Sequence, residues 1–456
     1  MPVGSASNDI STRRAVAVVI GGGLSGLAAA WRLRKRGCDV IVLERRARCG
    51  GRVAGERIEG FGVEGSMQVL RSNDRHIPGL IREAGLADEL LPLRPVTTAQ
   101  LSRGKVEPVA SHSPSDVARI PGVRFREGLR TLRLPRLMRR YRSLLDRDYP
   151  ERAGDWDFRS VGDFARLYFG KSVFERFASP IATAATCGDP DELSRVVFLL
   201  EWLAEENGRF GVARRGLSEL PAHLADQLSV RTEIEAVSVS ANGAGFNVKC
   251  SDGNILAADA VVVTSSASQA HALCATELVP AERDYLTGLQ TGPEAVLVAA
   301  LHRAATGAPQ YVRVPAVEGE IVESLLVEPG VADGRAPAGG GLATVTANRA
   351  FCESSKGTSD EVVEKELAAA LERIYPSIVG TIKFTLVYRR KSALPRFDVG
   401  AYRNMERFRR VHRDRRASGR RLYFAGDYLS GLTADQTAGS GFRAADELVA
   451  DLSSSN

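Results

Sequence analysis

Three closely spaced glycines, Gly21, Gly23 and Gly26, could hold a phosphate group against the chain backbone. Glycine allows both the tight turn and the close ligand approach that such a site needs. A helix that starts within the turn, at Leu24 and Ser25, would direct its unpaired N–H groups and the positive end of its dipole at an anion. The spacing therefore predicts a pyrophosphate site, provided that a strand and a helix flank the glycines.

The flanking residues supply those elements. Apolar residues 16–20 predict a buried parallel strand, and the alanine-rich residues 24–36 predict a helix. A second apolar run, residues 40–43, ends in Glu44, where a carboxylate can accept hydrogen bonds from an adenosine ribose. Strand, glycine turn, helix, strand and acidic residue in this order indicate a dinucleotide-binding unit.

The residues after Glu44 extend the phosphate site. Arg45 follows directly, and Gly50, Gly51 and Arg52 come a few residues later. Two adjacent glycines again allow close approach to a phosphate, and an arginine beside them can bind a diphosphate through two hydrogen bonds. This segment resembles the FAD-binding start of the flavin amine oxidase superfamily, which includes monoamine and polyamine oxidases, protoporphyrinogen oxidases and carotenoid desaturases.

A second motif lies near the C-terminus. Residues 422–449, LYFAGDYLSGLTADQTAGSGFRAADELV, resemble the closing flavin motif of the same superfamily. The resemblance implies that Gly426 and Asp427 lie by the diphosphate and ribityl chain, and that a helix starting near Thr433 and Ala434 faces the flavin pyrimidine. Because this motif contains no cysteine, we expect FAD to be bound non-covalently.

Further cofactor contacts are implied by the resemblance alone. In the superfamily the backbone passes close to the flavin at the positions of residues 65–68, and a residue at the position of Ile234 contacts adenine through its backbone. Core packing is an alternative role for Met67. The predicted cofactor-binding residues are Gly21, Gly23, Leu24, Ser25, Gly26, Glu44, Arg45, Gly51, Arg52, Gly65, Ser66, Met67, Gln68, Ile234, Gly426, Asp427, Thr433 and Ala434.

The predicted fold class is α/β, with a Rossmann-type FAD-binding domain assembled from three segments. These segments are residues 13–77, 208–290 and 415–452. Within the middle segment, residues 217–228 predict a helix, and residues 232–266 predict a β-meander that closes on a buried strand.

An inserted α+β substrate-binding domain is predicted from residues 78–207 and 291–414. Its first part is expected to be mostly helical, with helical apolar spacing in residues 81–91 and 196–204. Its second part is expected to combine strands with one helix, residues 360–374. The glycine-rich stretch 335–341 predicts a surface loop between strands.

Two departures from the superfamily pattern count against amine oxidation. Amine oxidases typically carry a lysine, water-bridged to flavin N5, on a strand that corresponds to residues 293–297, where this chain has none. They also place two aromatic rings beside the flavin. One ring's position corresponds to Thr433, and the other falls in residues 390–397, which are basic here.

Other branches are more similar. Residues 393–400 and 187–194 resemble protoporphyrinogen oxidases, and residues 426–428 resemble carotenoid desaturases. The sequence therefore predicts an FAD-dependent oxidase or dehydrogenase that removes a hydride from a C–C or C–N bond of a bulky organic substrate, with oxygen or a quinone as electron acceptor. Two alternatives stay open: a flavin amine oxidase acting on a secondary-metabolite or alkaloid-type amine, and a non-catalytic FAD-binding protein.

The catalytic candidates are few. Hydride transfer to a flavin requires binding, orientation and electrostatics from the protein but no nucleophilic side chain. Arg390, Lys391 and Thr433 are the candidates because they fall at positions expected to face the ring. The six histidines are dispersed and predict no metal site.

Composition narrows the class of protein and its compartment. The 456 residues are 44% hydrophobic, and 61 basic against 55 acidic residues give a net charge of only +6, which does not indicate a nucleic-acid-binding protein. The six dispersed cysteines predict neither zinc nor disulfides, as expected in the cytoplasm. Residues 1–12 lack the apolar core of a signal peptide, and no apolar run reaches transmembrane length.

Two arginine-rich segments allow more than one interpretation. In residues 124–142, RFREGLRTLRLPRLMRRYR, leucines alternate with arginines. The segment could be a peripheral membrane-contact surface, a contact for an acidic substrate, or a solvated helix face packed on the inserted domain. Residues 407–421 have the same alternatives and are expected to lie in a connector before a strand. The sequence does not predict an oligomeric state.

Overall fold

A computed structural model describes residues 14–110, 113–305, 310–331 and 334–454, and the prediction made from residues 1–12 lies outside these ranges. Two larger sheets organise the described chain. The first is a parallel sheet whose strands have the spatial order Val230–Arg231, Asp39–Leu43, Val16–Ile20, Ala260–Val263 and Leu422–Phe424.

Both faces of this parallel sheet are covered, which explains its continuous apolar strands. Val18 and Ile20 pack into one core, while Ala17 and Val19 pack into another on the opposite face. The second core includes the helices Leu24–Lys35 and Ala434–Ser453, which pack closely against each other. At their closest approach a methyl group on Gly441 would stand 2.1 Å from the carbonyl oxygen of Ser25.

The second large sheet is mixed. Its described strands, in spatial order, are Ile382–Pro395, Thr291–Leu301, Gly341–Ala347, Val322–Pro329, Gln310–Arg313, Thr97–Ser102 and Lys105–Pro108. The smaller sheets are formed by Ala236–Asn242, Gly245–Cys250 and Ile255–Ala258, by Gly55–Ile58 and Phe61–Glu64, and by Leu70–Arg71, Phe210–Val212 and Arg94–Pro95.

Helices surround the two sheets. The remaining described α-helices are His76–Glu83, Ala87–Leu90, Pro114–Val117, Phe125–Arg130, Leu134–Tyr141, Val161–Tyr168, Lys171–Val173, Ser179–Thr186, Arg195–Asn207, Glu219–Gln227, Ala267–Leu273, Pro280–Gly288, Arg349–Ser354, Asp360–Ile374 and Ala401–Ala417. Shorter helical turns are Gly51–Val53, Thr131–Arg133, Pro150–Trp156, Phe174–Ala178, Ala316–Glu318, Pro376–Ile378 and Asp427–Leu429.

The α/β fold class is confirmed, and so are the helices expected at 217–228 and 360–374 and the meander that closes on a buried strand. The parallel sheet draws its strands from all three segments predicted to bind FAD, although the exact division into domains stays a prediction. Residues 81–91 are not one helix, because the chain turns at Gly85 between two short helices. Residues 78–207 also contribute two strands, 97–102 and 105–108, to the mixed sheet.

The glycine-rich stretch 335–341 connects two strands, but the prediction that it lies on the surface is wrong at its start. Arg335 and Ala336 are buried. The Arg335 guanidinium lies between Glu64 and Glu328 and donates to the carbonyl of Gly62. Burial of a charged side chain requires such partners. Glu328 is only 7 residues from Arg335, but Gly62 is 273 residues away, and a contact at that separation has no local signal in the sequence.

The arginine-rich segment 124–142 has both buried and exposed apolar side chains. Leu134 and Met138 are buried against the helical core. By contrast, Phe125, Leu129 and Leu132 are 67%, 42% and 55% exposed. The segment therefore packs on the helical core and still presents apolar side chains among exposed arginines.

The second arginine-rich run, residues 407–421, lies before the strand Leu422–Phe424, as expected, and belongs mainly to the 17-residue helix Ala401–Ala417. Several of its arginines are held by acidic partners, as Arg416 is by Glu447 and Asp451. This pairing explains the run without an external ligand. In the described part of the chain, helices long and apolar enough to cross a bilayer are absent.

Glu282 gives this region a predicted acid sensitivity. Its fully buried carboxylate pairs with Arg415 and Arg420 and lies 3.7 Å from His412. Burial alone would raise the pKa of Glu282, but His412 and the two arginines outweigh burial and lower that pKa to about 2. The ordinary carboxyl pKa is about 4.5, so the stabilisation is complete above that pH and is lost as the pH falls toward 2.

We expect this carboxylate to contribute about 3 kcal/mol near neutrality, from roughly 1.4 kcal/mol per pKa unit. Urea unfolding should show a Glu282→Gln variant to be less stable than wild type at pH 7, with a smaller difference near pH 3. The same change at exposed Glu361 serves as control. An equal deficit at both pH values would contradict the assignment.

Candidate functional site

One cavity of about 700 Å³ joins the edge of the parallel sheet to the mixed sheet. Most residues predicted from the sequence line it. They are Gly21, Gly23, Leu24, Ser25, Glu44, Arg45, Gly51, Arg52, Ser66, Met67, Gln68, Ile234, Arg390, Gly426, Asp427, Thr433 and Ala434. The structure thus brings together residues from both ends of the chain, as the two motifs require.

The glycine turn has two kinds of glycine. At Gly26 a methyl group would stand 1.9 Å from the carbonyl oxygen of Gly21, so this glycine permits the turn to pack on the helix. At Gly23, which precedes the helix Leu24–Lys35, a methyl group would meet no described atom within 4 Å. Gly23 lines the cavity, where the open space is available to a ligand.

Glu44 follows the strand Asp39–Leu43 and is buried at the cavity wall. Its Oε2 accepts a hydrogen bond from the N–H of Gly22 at 2.7 Å, and its Oε1 accepts one from the N–H of Arg46 at 2.9 Å. The carboxylate is therefore fixed in orientation. Each oxygen retains a lone pair that could accept from a ribose hydroxyl.

An ion pair joins the two distant motifs. The Arg52 guanidinium donates to the carboxylate of Asp427, and the other oxygen of Asp427 accepts from the N–H of Tyr428. Thr433 caps the helix Ala434–Ser453 by accepting from the N–H of Gln436. The first turn of this 20-residue helix thus lines the cavity, and the positive end of the helix dipole faces the cavity.

Three predicted residues lie outside the cavity wall. Gly26 packs in the turn, and the carbonyl of Gly65 accepts from Arg390, which does line the cavity. Lys391 is exposed and does not line the cavity. Arg390 also pairs with buried Glu294 at 2.6 Å, on the strand where amine oxidases typically carry a lysine. Of the two basic candidates, only Arg390 is placed to meet a bound molecule.

The comparison with protein families agrees with this arrangement. A model of flavin-containing amine oxidoreductases matches residues 24–449, which is nearly the whole chain. The chain belongs to this family. A flavin cofactor is therefore expected in the cavity, and an oxidoreductase role goes with it.

The curated relatives that the chain matches include coproporphyrinogen and protoporphyrinogen oxidases. Coproporphyrinogen III oxidase of Propionibacterium freudenreichii is 34% identical over 178 residues, which cover 39% of this chain and 33% of the relative. The chloroplastic protoporphyrinogen oxidase of Oryza sativa is 34% identical over 203 residues, 42% of this chain and 34% of the relative. The chain spans about a third of the length of these curated relatives.

The fold extends over nearly the whole molecule. A solved triple variant of putrescine oxidase matches 96% of this chain and 99% of its own with a TM-score of 0.76, at 17% identity. At that identity the match establishes the architecture alone.

The residues present fit a flavin dinucleotide. A ligand with adenosine at Glu44 and a diphosphate at the glycine turn would extend along Arg52 and Asp427 toward the capped helix at Thr433. Along this path the carboxylate of Glu44 could accept hydrogen bonds from ribose hydroxyls, and backbone N–H groups and Arg52 could bind the phosphates. The positive end of the last helix's dipole would face an electron-rich ring. The protein holds each of these groups in place without a ligand.

The sequence did not reveal the far end of the cavity. There the structure gathers four charged residues, Arg71, Glu201, Glu205 and Arg313, with the rings of Phe210 and Tyr311. Two signals existed: Glu201 and Glu205 are four residues apart on a predicted helix, and Tyr311 and Arg313 alternate on a strand. Nothing in the sequence indicated that these elements meet.

Proposed function

We propose that the protein is an FAD-dependent oxidase or dehydrogenase that oxidises a C–C or C–N bond of a bulky organic substrate: one carbon of the bond gives up a hydride, the neighbouring atom gives up a proton to solvent, and a double bond forms. The observation that carries the proposal is that the cavity lined by the predicted dinucleotide-binding residues continues, within the described part of the chain, into a space bounded by the mixed sheet. Bound FAD would supply the hydride acceptor. This further space, where Arg71, Phe210 and Tyr311 line the wall, would be available to a second molecule.

The protein's own contribution is orientation and electrostatics. Arg52, paired with Asp427, would meet the diphosphate, and the capped helix at Thr433 would direct the positive end of its dipole at the region where negative charge develops on a reduced ring. Arg390, fixed by Glu294 and by the carbonyl of Gly65, is a positioning residue beside the reacting region. No nucleophile is required.

Within the family, a porphyrinogen-oxidase-like reaction is better supported than amine oxidation. Two residues of the strand Thr291–Leu301 line the cavity, Thr291 and Glu294, and neither is the lysine that is expected on this strand in an amine oxidase. Glu294 is already paired with Arg390. The curated relatives named above are porphyrinogen oxidases. Oxygen or a quinone would reoxidise the flavin.

The FAD is proposed to be held without a covalent bond. The closing motif, residues 422–449, contains no cysteine or histidine. Cys187 lines the cavity, but burial raises the pKa of its thiol, first of all by desolvation, and keeps it protonated and weakly nucleophilic. FAD should therefore be released on denaturation, together with the yellow colour.

Anaerobic bleaching tests the function directly. The purified protein should be yellow, and its flavin absorbance should bleach with a porphyrinogen and not with simple mono- or diamines. Readmission of air or addition of a quinone should restore the colour. Bleaching by amines alone would replace the proposed reaction with amine oxidation, and a yellow protein reduced by none of these donors would favour a non-catalytic role.

A peripheral membrane contact is proposed at the segment 124–142. Exposed Phe125, Leu129 and Leu132 lie among exposed arginines, a combination suited to an interface with anionic lipid. The Phe125 ring and the two leucines would enter the headgroup region while the arginines meet lipid phosphates. Such a contact would bring the protein to the bilayer without a spanning helix.

Vesicle co-sedimentation gives this proposal a quantitative outcome. We expect salt-sensitive binding to vesicles containing phosphatidylglycerol and little binding to phosphatidylcholine alone. Phe125→Ser should weaken binding about tenfold or more, since burying a phenylalanine contributes roughly 1.5–3 kcal/mol. Ile255→Ser, at a site 62% exposed elsewhere, is the matched control. Equal effects of the two substitutions, or no binding by the wild type, would contradict the contact.

A further inference from the structure

One carboxylate in the cavity wall has an engaged oxygen and an open one. Glu294, on the strand Thr291–Leu301, accepts a hydrogen bond at Oε2 from Nη1 of Arg390 at 2.6 Å. Its Oε1 has no hydrogen-bond partner among the described residues and yet is not fully enclosed, unlike Oε2 of Glu323. Because Glu294 lines the cavity, this oxygen is open to a molecule bound there. An ionised carboxylate oxygen can accept a hydrogen bond or a proton.

Contacts to the dinucleotide half of the cavity fix this carboxylate. Nη1 of Arg390 also donates to the carbonyl of Gly65 at 2.9 Å, and the neighbouring Ser66 hydroxyl donates to the carbonyl of Arg52 at 2.8 Å. The arginine therefore connects Glu294 to the segment that contains the predicted diphosphate ligand. It holds Oε2 and leaves Oε1 to face the cavity.

An irregularity in the mixed sheet turns the Glu294 side chain into the cavity. Gly292 pairs with Leu394 but Glu294 pairs with Arg390, so the register of the two strands shifts between these positions. Thr291 and Glu294 both line the cavity, although residues three apart on a regular strand face opposite sides. Such irregularities are over-represented next to active sites, where they redirect a side chain.

Glu294 lies between the two halves of the cavity. Across the mixed sheet, a row of cavity-lining side chains runs in strand order from Arg390 through Glu294, Thr346 and Ser324 to Arg313. Arg390 stands opposite Glu294, and Ser324 stands opposite Thr346 on one side and Arg313 on the other. A molecule that occupies the far end and reaches back toward the cofactor half would extend along this row.

The other acidic side chains of the cavity wall have different partners or places. They are Glu44, Glu201, Glu205, Glu235 and Asp427. Glu44 and Asp427 use both carboxylate oxygens in the dinucleotide half. Glu201 and Glu205 pair with arginines at the far end, and Glu235 is exposed beside Arg45. Histidine and lysine are absent from the described wall, so Glu294 supplies the open acceptor between the two halves.

We propose that Oε1 of Glu294 accepts the proton that the substrate loses during oxidation, on its way to solvent. One carbon loses a hydride, with both electrons of its C–H bond, to the oxidised flavin. An N–H group conjugated with that carbon gives its proton to Oε1, and the electrons of the broken N–H bond complete the new double bond. The inference rests on the proposed function and narrows it to substrates that contain such an N–H group.

Binding of indole and 1-methylindole to the oxidised, flavin-loaded protein tests the acceptor without turnover. The two probes differ in whether the ring nitrogen carries a hydrogen or a methyl group. We expect indole to bind at least about tenfold more tightly, since a hydrogen bond to a charged acceptor is roughly twice as strong as one between neutral groups. Perturbation of the flavin absorbance reports both dissociation constants. Equal affinities, or no binding of indole, would overturn the proposal.

Glu294→Gln locates this preference. The variant keeps the shape of the side chain and an oxygen for Arg390, but it turns an NH₂ donor toward the cavity in place of the acceptor. The preference for indole should therefore fall to less than about threefold. Glu323→Gln is the matched control, because Glu323 is a buried glutamate of the same sheet that does not line the cavity. A preference retained in Glu294→Gln would overturn the proposal.

Reduction by coproporphyrinogen III under anaerobic conditions tests the proton transfer itself. Glu294→Gln should slow bleaching of the flavin at least about 100-fold, since a general base contributes about 10²–10⁴-fold. Affinity for the oxidised porphyrin should stay within about threefold of wild type, because the base acts on the proton that this product lacks. Loss of porphyrin binding in parallel with the rate would show a structural role and would contradict the assignment.

The outcomes separate this inference from the function on which it rests. A preference for indole that depends on Glu294, in a protein whose flavin no donor reduces, would sustain the open acceptor and contradict the enzymatic role. Reduction by coproporphyrinogen III at equal rates in wild type and Glu294→Gln would sustain the enzymatic role and overturn the one proposed for Glu294.

Discussion

Alanine at Gly26 is expected to destabilise the protein even in the absence of cofactor, whereas alanine at Gly23 is expected to leave the apoprotein intact and weaken FAD binding. A methyl group at Gly26 would stand 1.9 Å from the carbonyl oxygen of Gly21 and 2.7 Å from Oγ1 of Thr264. Neither the carbonyl nor the strand behind it can withdraw without opening the turn. Overpacking of this kind typically costs roughly 1–3 kcal/mol, and occasionally more.

Gly23 differs because the space around it is open. Its φ of −73° and ψ of 174° are accessible to alanine, and no described atom lies within 4 Å of the added methyl group. The methyl group would instead occupy the cavity beside the start of the helix, where a pyrophosphate approaches the backbone most closely. We expect the FAD dissociation constant to rise about tenfold or more, which corresponds to a clash of roughly 1–3 kcal/mol.

Two measurements separate these effects. Urea unfolding of the apoproteins reports stability, and titration with FAD, followed by quenching of its fluorescence, reports affinity. Gly79→Ala is the control, since this helical glycine also has no neighbour within 4 Å and the change should stabilise by roughly 0.5–1 kcal/mol. A Gly23→Ala apoprotein as unstable as Gly26→Ala would show that the space at Gly23 is not open, and an unchanged FAD affinity in Gly23→Ala would show that the cofactor does not use it.

The dinucleotide half of the site could be predicted because its determinants are local. The run from Val16 to Glu44 contains a strand, a turn, a helix and a second strand in sequence order, and each element is specified by residues within a few positions of itself. Even the meeting of Arg52 with Asp427 was implied, since both motifs must contact one cofactor.

The far end of the cavity could not be predicted for the opposite reason. Arg71 and Glu201 are 130 residues apart, and Arg313 and Glu205 are 108 apart. Each residue taken alone resembles an ordinary charged residue on a helix or strand. Their pairing depends on how the inserted helices pack on the mixed sheet, and one sequence contains no local pattern that specifies this packing.

For segment 124–142 the sequence did not predict which apolar side chains are buried and which are exposed. Its periodicity correctly indicated amphipathic helices, and Leu134 and Met138 are indeed buried. The sequence could not say which leucines face the core, because arginines are dispersed around the helices and Pro135 shifts the register. The exposed positions of Phe125 and Leu132 therefore emerged only from the structure.

Removal of the Arg335 guanidinium is expected to have the largest effect on stability among the charged residues considered. In this position Glu64 and Glu328 are 1% and 2% exposed in their side chains, and Arg335 lies between them. Arg94 still pairs with Glu328 after the change, but Glu64 loses its cation. Breaking a buried pair by removing one partner typically costs about 3–5 kcal/mol, so Arg335→Met should lower the free energy of unfolding by that amount at pH 8.

The sign of the pH dependence makes this prediction specific. Burial raises the pKa of Glu64 in the wild type, because its effect outweighs the opposing effect of the positive charge on Arg335. Without the arginine that pKa rises further, and a carboxyl whose folded pKa exceeds its unfolded value destabilises the fold only while it is ionised. The deficit of Arg335→Met should therefore shrink as the pH falls from 8 to 5. Urea unfolding at both pH values measures it, with exposed Arg303→Met as the control, expected within about 0.5 kcal/mol of wild type. A deficit no larger than the control's, or one independent of pH, would mean that Arg335 does not neutralise these buried carboxylates.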